Sequence, residues 1–431
     1  MIVRITLPAL RAGRVILTQG CRTASRVPQR VKSAAMRTSA ITNQFTESVI
    51  REMTRVANAH GAVNLSQGFP DWPAPMEIKE AAARAIMADV NQYAITYGAK
   101  PLRMAIADLY RNRYEMQVNP ETDICVCCGA TEAIISSLLA TTNPGDEVII
   151  FEPFYENYGP DAWISGATPR FVALRPTNIN GTVRWMFDPD ELRAAFGPKT
   201  RAIIVNSPQN PTGHVFDYNE LRIIADLCVE RDVLAITDEI YEFITYDGHT
   251  HIPIATLPGM ADRTITISGL SKTWSVTGWR MGYSVAPADI TLGIRKVHDF
   301  LTVGAAAPLQ EAGAVAMRMP AEYYESMLAR YTVRREFALN MLRENGFKPV
   351  VPEGAYYIMA DFSDLRRSEA EDDTAFAMRL VKDIGVATVP GSSFFWAKGP
   401  NNPGRSFVRF AFCKQEATLV AAAERLSKLR A

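Results

Sequence analysis

The chain has too little cysteine and histidine to be a disulfide scaffold or an obvious metal protein. Its 431 residues hold 6 Cys and 5 His, and that cysteine usage does not suggest an oxidised framework. Cys125 and Cys128 formally make a C-x-x-C, but they stand in Ile124-Cys125-Val126-Cys127-Cys128-Gly129, an apolar strand ending at glycine. No second Cys/His pair follows at zinc-ligand spacing, so no metal is expected and cysteine serves as a small apolar side chain. No uninterrupted apolar run approaches the ~18 residues of a membrane span, so no membrane partner is expected. Net charge is also missing: 46 Lys and Arg balance 46 Asp and Glu. That balance argues against a nucleic-acid partner, because a phosphate backbone is met by a net positive surface. Extremes of composition are absent too. At 48% hydrophobic and 21% charged, with 26 Gly and 26 Pro, the chain leaves little room for wholesale disorder or a collagen-like repeat.

The zero charge is unevenly spread. Residues 1–38 carry Arg4, Arg11, Arg14, Arg22, Arg26, Arg30, Lys32 and Arg37 and no acid; the first carboxylate is Glu47. The body, residues 39–431, is therefore acidic. A basic, serine-bearing leader without acids is what an organellar transit peptide looks like. The other reading is an overlong start, with Met36 as the first residue. A soluble intracellular protein is expected either way, mitochondrial in the first case and cytoplasmic in the second. The leader is set aside from fold reasoning.

Residues 45–60 place Val49, Ile50, Met53, Val56 and Ala57 at helical spacing, with Glu47 and Glu52 on the other face. Beyond a breaker-rich stretch, Asn64 to Asp71, apolar strands alternate with helices. Strands are expected at 124–128, 147–151, 169–173, 202–206, 234–238, 264–268 and 281–286, and helices at 131–141, 188–196 and 217–231. Continuous Val/Ile runs separated by helices indicate an α/β fold with a mostly parallel sheet covered on both faces. A long helix at 322–345, strands near 355–361 and 406–412 and a final helix at 414–430 read as a smaller α+β domain.

Four segments concentrate chemistry-bearing residues, and each follows a strand. Ser268-Gly269-Leu270-Ser271-Lys272 sets one lysine among small residues, with Gly278-Trp279-Arg280 shortly after. Gly129-Ala130-Thr131 opens a helix whose free amides favour an anion. Asn206-Ser207-Pro208-Gln209-Asn210-Pro211 fixes side-chain amides at a strand end. Thr237-Asp238-Glu239-Ile240-Tyr241 ends an apolar strand in a carboxylate, which is costly unless it meets a partner. Ligands of open α/β sheets collect at the carboxyl ends of strands. A lysine, a carboxylate, an anion site with an arginine, and Asn and Tyr hydrogen-bonding partners together fit pyridoxal phosphate.

This ordering resembles the fold type I pyridoxal-phosphate enzymes, specifically the class I aminotransferases. Within them it is similar to the kynurenine aminotransferase/glutamine transaminase K group and bacterial relatives, over about residues 45–430. Supporting stretches are Asn64–Asp71, Asn91-Gln92-Tyr93, Glu152-Pro153-Phe154-Tyr155, Tyr246-Asp247-Gly248 and Val408-Arg409-Phe410. The resemblance implies a large cofactor-binding domain over 72–320 and a smaller one over 321–431, joined by an arm and part of the small domain at 39–71. It implies that Lys272 forms the internal aldimine, that Asp238 pairs with the ring nitrogen, and that Tyr241 and Asn210 serve the ring's phenolic oxygen. Tyr155 would stack on the ring, and Ala130, Thr131 and Arg280 would hold the phosphate. Tyr93 would reach the phosphate of the neighbouring subunit, which implies a homodimer with shared active sites. Arg409 would clamp the substrate α-carboxylate, with Gly68 and Asn210 beside the substrate.

Two departures stand out. Many relatives carry a serine three residues before the lysine, where this chain has Gly269; Ser271 is the candidate substitute. The pocket residues of the kynurenine enzymes are not matched at Val303-Gly304-Ala305, and His298 reads as a structural histidine. The implied reaction is ping-pong transamination between an L-amino acid and a 2-oxo acid. A β-lyase or decarboxylase on the same scaffold is the nearest alternative. A non-catalytic sensor module is the alternative of another class, but no DNA-binding appendage fits before residue 45. With no unambiguous second arginine for a dicarboxylate side chain, the sequence leans toward neutral amino donors.

Overall fold

The computed structural model describes residues 38–430. Residues 1–37, which include nearly all of the basic leader and the alternative start at Met36, lie outside the described residues. The first long helix, Val49–Ala59 (α1), buries Ile50, Met53 and Ala57. It begins later than the expected 45 because Ser48 caps it, its hydroxyl accepting the Arg51 N–H in place of the missing intrahelical partner.

Val- and Ile-rich runs assemble a seven-stranded sheet. Its strands in chain order are Ile124–Cys127 (β1), Glu147–Glu152 (β2), Thr168–Ala173 (β3), Thr200–Asn206 (β4), Leu234–Asp238 (β5), Thr264–Gly269 (β6) and Gly282–Val285 (β7). The spatial order is β1-β7-β6-β5-β4-β2-β3. β7 runs antiparallel to β1 and β6, and every other pair is parallel. All seven strands fall where the apolar runs predict them.

Successive strand residues point to opposite faces, and both faces are covered. Val148 and Ile150 pack with Ala133, Ile134 and Leu138 of Ala130–Thr141 (α2). Ile149 and Phe151 pack with Leu221, Ile224 and Leu227 of Tyr218–Arg231 (α3). α3 starts at a capping box, Asp217 accepting from the Glu220 N–H and Glu220 from the Asp217 N–H, which satisfies two donors the helix leaves free.

Beyond this sheet come helices Ala288–Thr302 (α4) and Ala321–Glu344 (α5). Strands Lys348–Pro349 (β8), Tyr357–Asp361 (β9), Val389–Pro390 (β10) and Phe407–Ala411 (β11) form an antiparallel sheet in the order β8-β9-β11-β10. Val63–Asn64 pairs in parallel with Val386–Ala387, so the loop from Leu65 to Phe69 starts from a point anchored on late-chain residues. Helices Met76–Met87, Lys100–Tyr114 and α4 were not anticipated from the pattern. Neither was the hairpin Arg175–Ile179/Thr182–Met186, whose first strand is exposed throughout and so carries no alternation. Among the described residues, no helix is long and apolar enough to cross a membrane.

Candidate active site

The carboxyl ends of β4 and β5, the turn after β6 and the N-terminus of α2 converge on a cavity of about 340 Å³. Asn206 and Asp238 are the last residues of β4 and β5. The Asn206 amide donates to the Asp238 carbonyl at 2.8 Å, and its Oδ1 accepts the Asn210 N–H at 2.8 Å. The Asn-Pro-rich turn is thereby tied to the end of β5, which sets Asn210 in the cavity wall.

Asp238 is buried and receives the Tyr158 hydroxyl on Oδ2 at 2.7 Å and the Ile240 N–H on Oδ1 at 3.3 Å. Burial pushes its pKa up, and these two donors and the Lys272 charge pull it back. Among the described residues no cation lies within ion-pair distance of this buried carboxylate, and a protonated ring nitrogen would supply one.

Lys272 follows β6 and donates from Nζ to the Gly68 carbonyl at 3.1 Å. Its ammonium lies 5.8 and 5.9 Å from the Tyr241 and Tyr356 ring centroids. Burial lowers its pKa to about 8, so a neutral, nucleophilic amine is accessible near physiological pH. Tyr241 and Tyr357 share a hydrogen bond between hydroxyls at 2.9 Å.

The opposite side of the cavity suits an anion. Ala130 and Thr131 open α2, where unpaired N–H groups and the helix dipole face outward. Gly129 has φ +88°, and a Cβ there would stand 2.4 Å from Arg280 Nη2. The glycine therefore lets a guanidinium close on the helix end, a ready phosphate cradle. Ser271 also lines the cavity. At Gly269 a Cβ would stand 2.6 Å from the Met281 carbonyl and 2.8 Å from Gly282 Cα. This backbone has no room there for a serine side chain.

Arg409, in β11, is fully buried. Nη1 donates to Asn210 Oδ1 at 2.9 Å and Nη2 to the Ser66 carbonyl. The guanidinium carbon lies 4.4 Å from the Tyr357 ring centroid and 4.9 Å from that of Phe394. Its Nε has no partner among the described residues, an unused donor on a buried cation in the cavity wall. Gly68 lines the cavity as expected, and what its missing side chain admits is Tyr357, whose hydroxyl would meet a Cβ at 1.9 Å.

Of the residues singled out in the sequence, Gly68, Ala130, Thr131, Tyr155, Asn210, Asp238, Tyr241, Lys272, Arg280 and Arg409 all line this one cavity. Tyr93 does not; it is 85% exposed. Tyr158, Tyr357, Gln67 and Arg51 also line it and were missed. Tyr158 had a signal, standing one helical turn after Tyr155, but nothing in the sequence pairs it with Asp238. His298 is buried, its ring nitrogens bonded to Glu132 at 2.6 Å and the Thr96 carbonyl at 2.9 Å. Although burial disfavours its charge, the Glu132 bond raises its pKa to about 9. Cys125, Cys127 and His298 bring ligand atoms within 4.8 Å of one another, but both His298 nitrogens are committed, so the imidazole offers an ion no lone pair.

Residues 60–426 match the family model of aminotransferase class I and II. Kynurenine–oxoglutarate transaminase 3 of Mus musculus is 40% identical over 391 residues, 86% of each chain. The solved N-succinyldiaminopimelate aminotransferase of Mycobacterium tuberculosis superposes with a TM-score of 0.86 at 38% identity, covering 91% of this chain and 100% of that one. An Escherichia coli protein with a methionine aminotransferase function gives a TM-score of 0.84 at 34% identity, covering 91% and 99%. A lysine, a buried carboxylate and a phosphate cradle in one cavity fit the cofactor of such enzymes. The chain belongs to the aminotransferase class I and II family, as a fold type I, pyridoxal-phosphate-dependent aminotransferase related to the kynurenine aminotransferase group.

Proposed function

We propose that this cavity carries out two-stage amino transfer with Lys272 as the acid–base residue and Arg409 as the α-carboxylate clamp. The observation that carries the reading is the buried Arg409, whose Nε has no partner among the described residues, in the same cavity as a lysine whose pKa is lowered to about 8. Ala130, Thr131 and Arg280 would hold the phosphate, Tyr155 would stack on the ring, and Asn210 and Tyr241 would bond its phenolic oxygen. Asp238 would keep the ring nitrogen protonated. When bound, pyridoxal phosphate supplies an aldehyde that condenses with amines and a ring that accepts electrons. Arg409 orients the amino acid through its carboxylate, and Lys272 Nζ takes the proton from the α-carbon. The same amine returns a proton in the second stage, when a 2-oxo acid occupies the Arg409 site.

A division into a large domain at 72–320 and a small one at 321–431, with 39–71 as an arm, accords with the two main sheets. A homodimer with Tyr93 reaching the partner's phosphate site is part of the reading. It accords with large apolar side chains left open in the single chain, Met87 at 84%, Tyr93 at 85% and Phe300 at 91% exposed. The compartment follows the mature N-terminus, which peptide mapping identifies: mitochondrial if the leader is an address, cytoplasmic if synthesis starts at Met36.

The relatives named for kynurenine, methionine and N-succinyldiaminopimelate make those donors the first to try. The test is a panel of amino donors against pyruvate and 2-oxoglutarate, with Lys272→Ala alongside. Turnover by the wild-type chain and its abolition in the variant are expected. Near-normal transfer by Lys272→Ala would sink the assignment.

A further inference from the structure

The cavity's charged groups divide by task, and one cation is left over. Arg280 closes on the end of α2, Lys272 and Asp238 stand at the strand ends, and Arg409 is buried against Asn210. A fourth cation, Arg51 in the first turn of α1, also lines the cavity. It is exposed, and its guanidinium makes no hydrogen bond or ion pair among the described residues. Its backbone N–H is engaged by Ser48 Oγ at 3.2 Å.

Gln67 supplies a second donor. Thr54, one turn on from Arg51, donates its hydroxyl to Gln67 Oε1 at 3.0 Å. The Thr54 proton is shared with the Ile50 carbonyl at 3.1 Å; the contact orients the amide, whose NH2 has no protein partner among the described residues. One carboxylate other than Asp238 lines the cavity, Glu156. It receives the Ser48 hydroxyl and forms no ion pair with Arg51. A guanidinium has only donors to offer, and this carboxamide adds an unpartnered NH2. Such a pair recognises an anion, and a carboxylate best of all because the guanidinium fork matches its two oxygens.

We propose that Arg51 and Gln67 form a subsite for a second carboxylate, carried on the substrate's side chain, while Arg409 takes the α-carboxylate. The substrate class is then acidic 2-oxo acids such as 2-oxoglutarate, with the matching amino acids. This rests on the amino-transfer reading above, and it reverses the sequence's lean toward neutral donors. In the sequence Arg51 is one more polar residue on an amphipathic helix; the fold lays that helix along the cavity.

The test compares the wild-type holoenzyme with Arg51→Ala and Arg51→Lys. Dissociation constants for succinate, glutarate, adipate and pentanoate are read from the change each makes in the bound cofactor's absorbance. Specificity constants are measured for 2-oxoglutarate and for 2-oxohexanoate, its uncharged counterpart. A lost charge-assisted contact predicts that Arg51→Ala weakens the best dicarboxylate by about tenfold more than pentanoate. It predicts the same differential for 2-oxoglutarate over 2-oxohexanoate, with Arg51→Lys between. Equal losses for charged and uncharged compounds, or dicarboxylates that bind wild type no better than pentanoate, overturn the subsite. If no amino transfer occurs with any pair, the reaction assignment fails, and the binding comparison still decides the subsite.

Discussion

Replacing Arg409 by lysine tests the proposed clamp while keeping its charge. The donor count predicts the outcome. A guanidinium has five N–H bonds; one on Nη1 serves Asn210 Oδ1 and one on Nη2 serves the Ser66 carbonyl. That leaves Nε–H and one hydrogen on each Nη for a ligand, enough for both oxygens of a carboxylate. An ammonium has three N–H bonds. If it satisfies the same two protein acceptors, one donor remains. The variant thus loses at least one charge-assisted hydrogen bond to the substrate, worth ~1.5–3 kcal/mol. Converted at ~1.4 kcal/mol per tenfold, Arg409→Lys lowers kcat/KM by roughly 10- to 150-fold. The assay is steady-state kinetics with an amino donor and, as control, the same donor with its α-carboxylate converted to the amide. The loss must be larger for the acid than for the amide. A variant within about twofold of wild type, or an equal loss for both, refutes the bidentate clamp.

Three further predictions follow from the same geometry. Tyr158→Phe removes the hydroxyl that Asp238 Oδ2 receives at 2.7 Å and leaves a buried carboxylate with one longer bond; kcat falls by about tenfold or more and the pH titration of the bound cofactor's absorbance shifts, whereas an unchanged titration and kcat would remove Tyr158 from the site. Gly269→Ser does not restore a phosphate ligand, because its Cβ meets the backbone of Met281 and Gly282; overpacking costs about 1–3 kcal/mol, so a lowered Tm is expected and an unchanged Tm with tighter cofactor retention would contradict it. In the cofactor-free chain, Lys272 is protonated below about 8 and a free amine above it; labelling by an acylating reagent, followed on the Lys272 peptide by mass spectrometry, rises with a midpoint near pH 8, and a midpoint near the ordinary 10.5 would contradict the lowering by burial.

What was legible in the sequence was whatever chain-local physics dictates. A strand covered on both faces is largely apolar, so central strands such as β2 and β4 announce themselves as Val/Ile-rich runs, while the edge strand β3 keeps Thr168 and Arg170 exposed and is marked by its place between helices. The ends of those strands carry Asn206, Asp238 and, one turn on, Lys272, so the strand-end rule found the cavity's floor before any fold was known. What was not legible depends on contacts between distant segments. The Tyr158 hydroxyl meets Asp238 80 residues away, and no spacing signals that. Helix Ala307–Ala316 is small-residue-rich and mostly buried, so it has no polar face to give it a period. Arg51 is the sharpest instance. The spacing of the apolar residues leaves it on the polar side of α1 without singling it out, and on an isolated helix that side means solvent. The Thr54–Gln67 hydrogen bond and the pairing of Val63–Asn64 with Val386–Ala387 fix that helix and the loop after it beside the cavity. An amphipathic pattern reports which face avoids water, and it cannot separate a polar face turned to bulk solvent from one turned to a ligand. That distinction belongs to the tertiary fold.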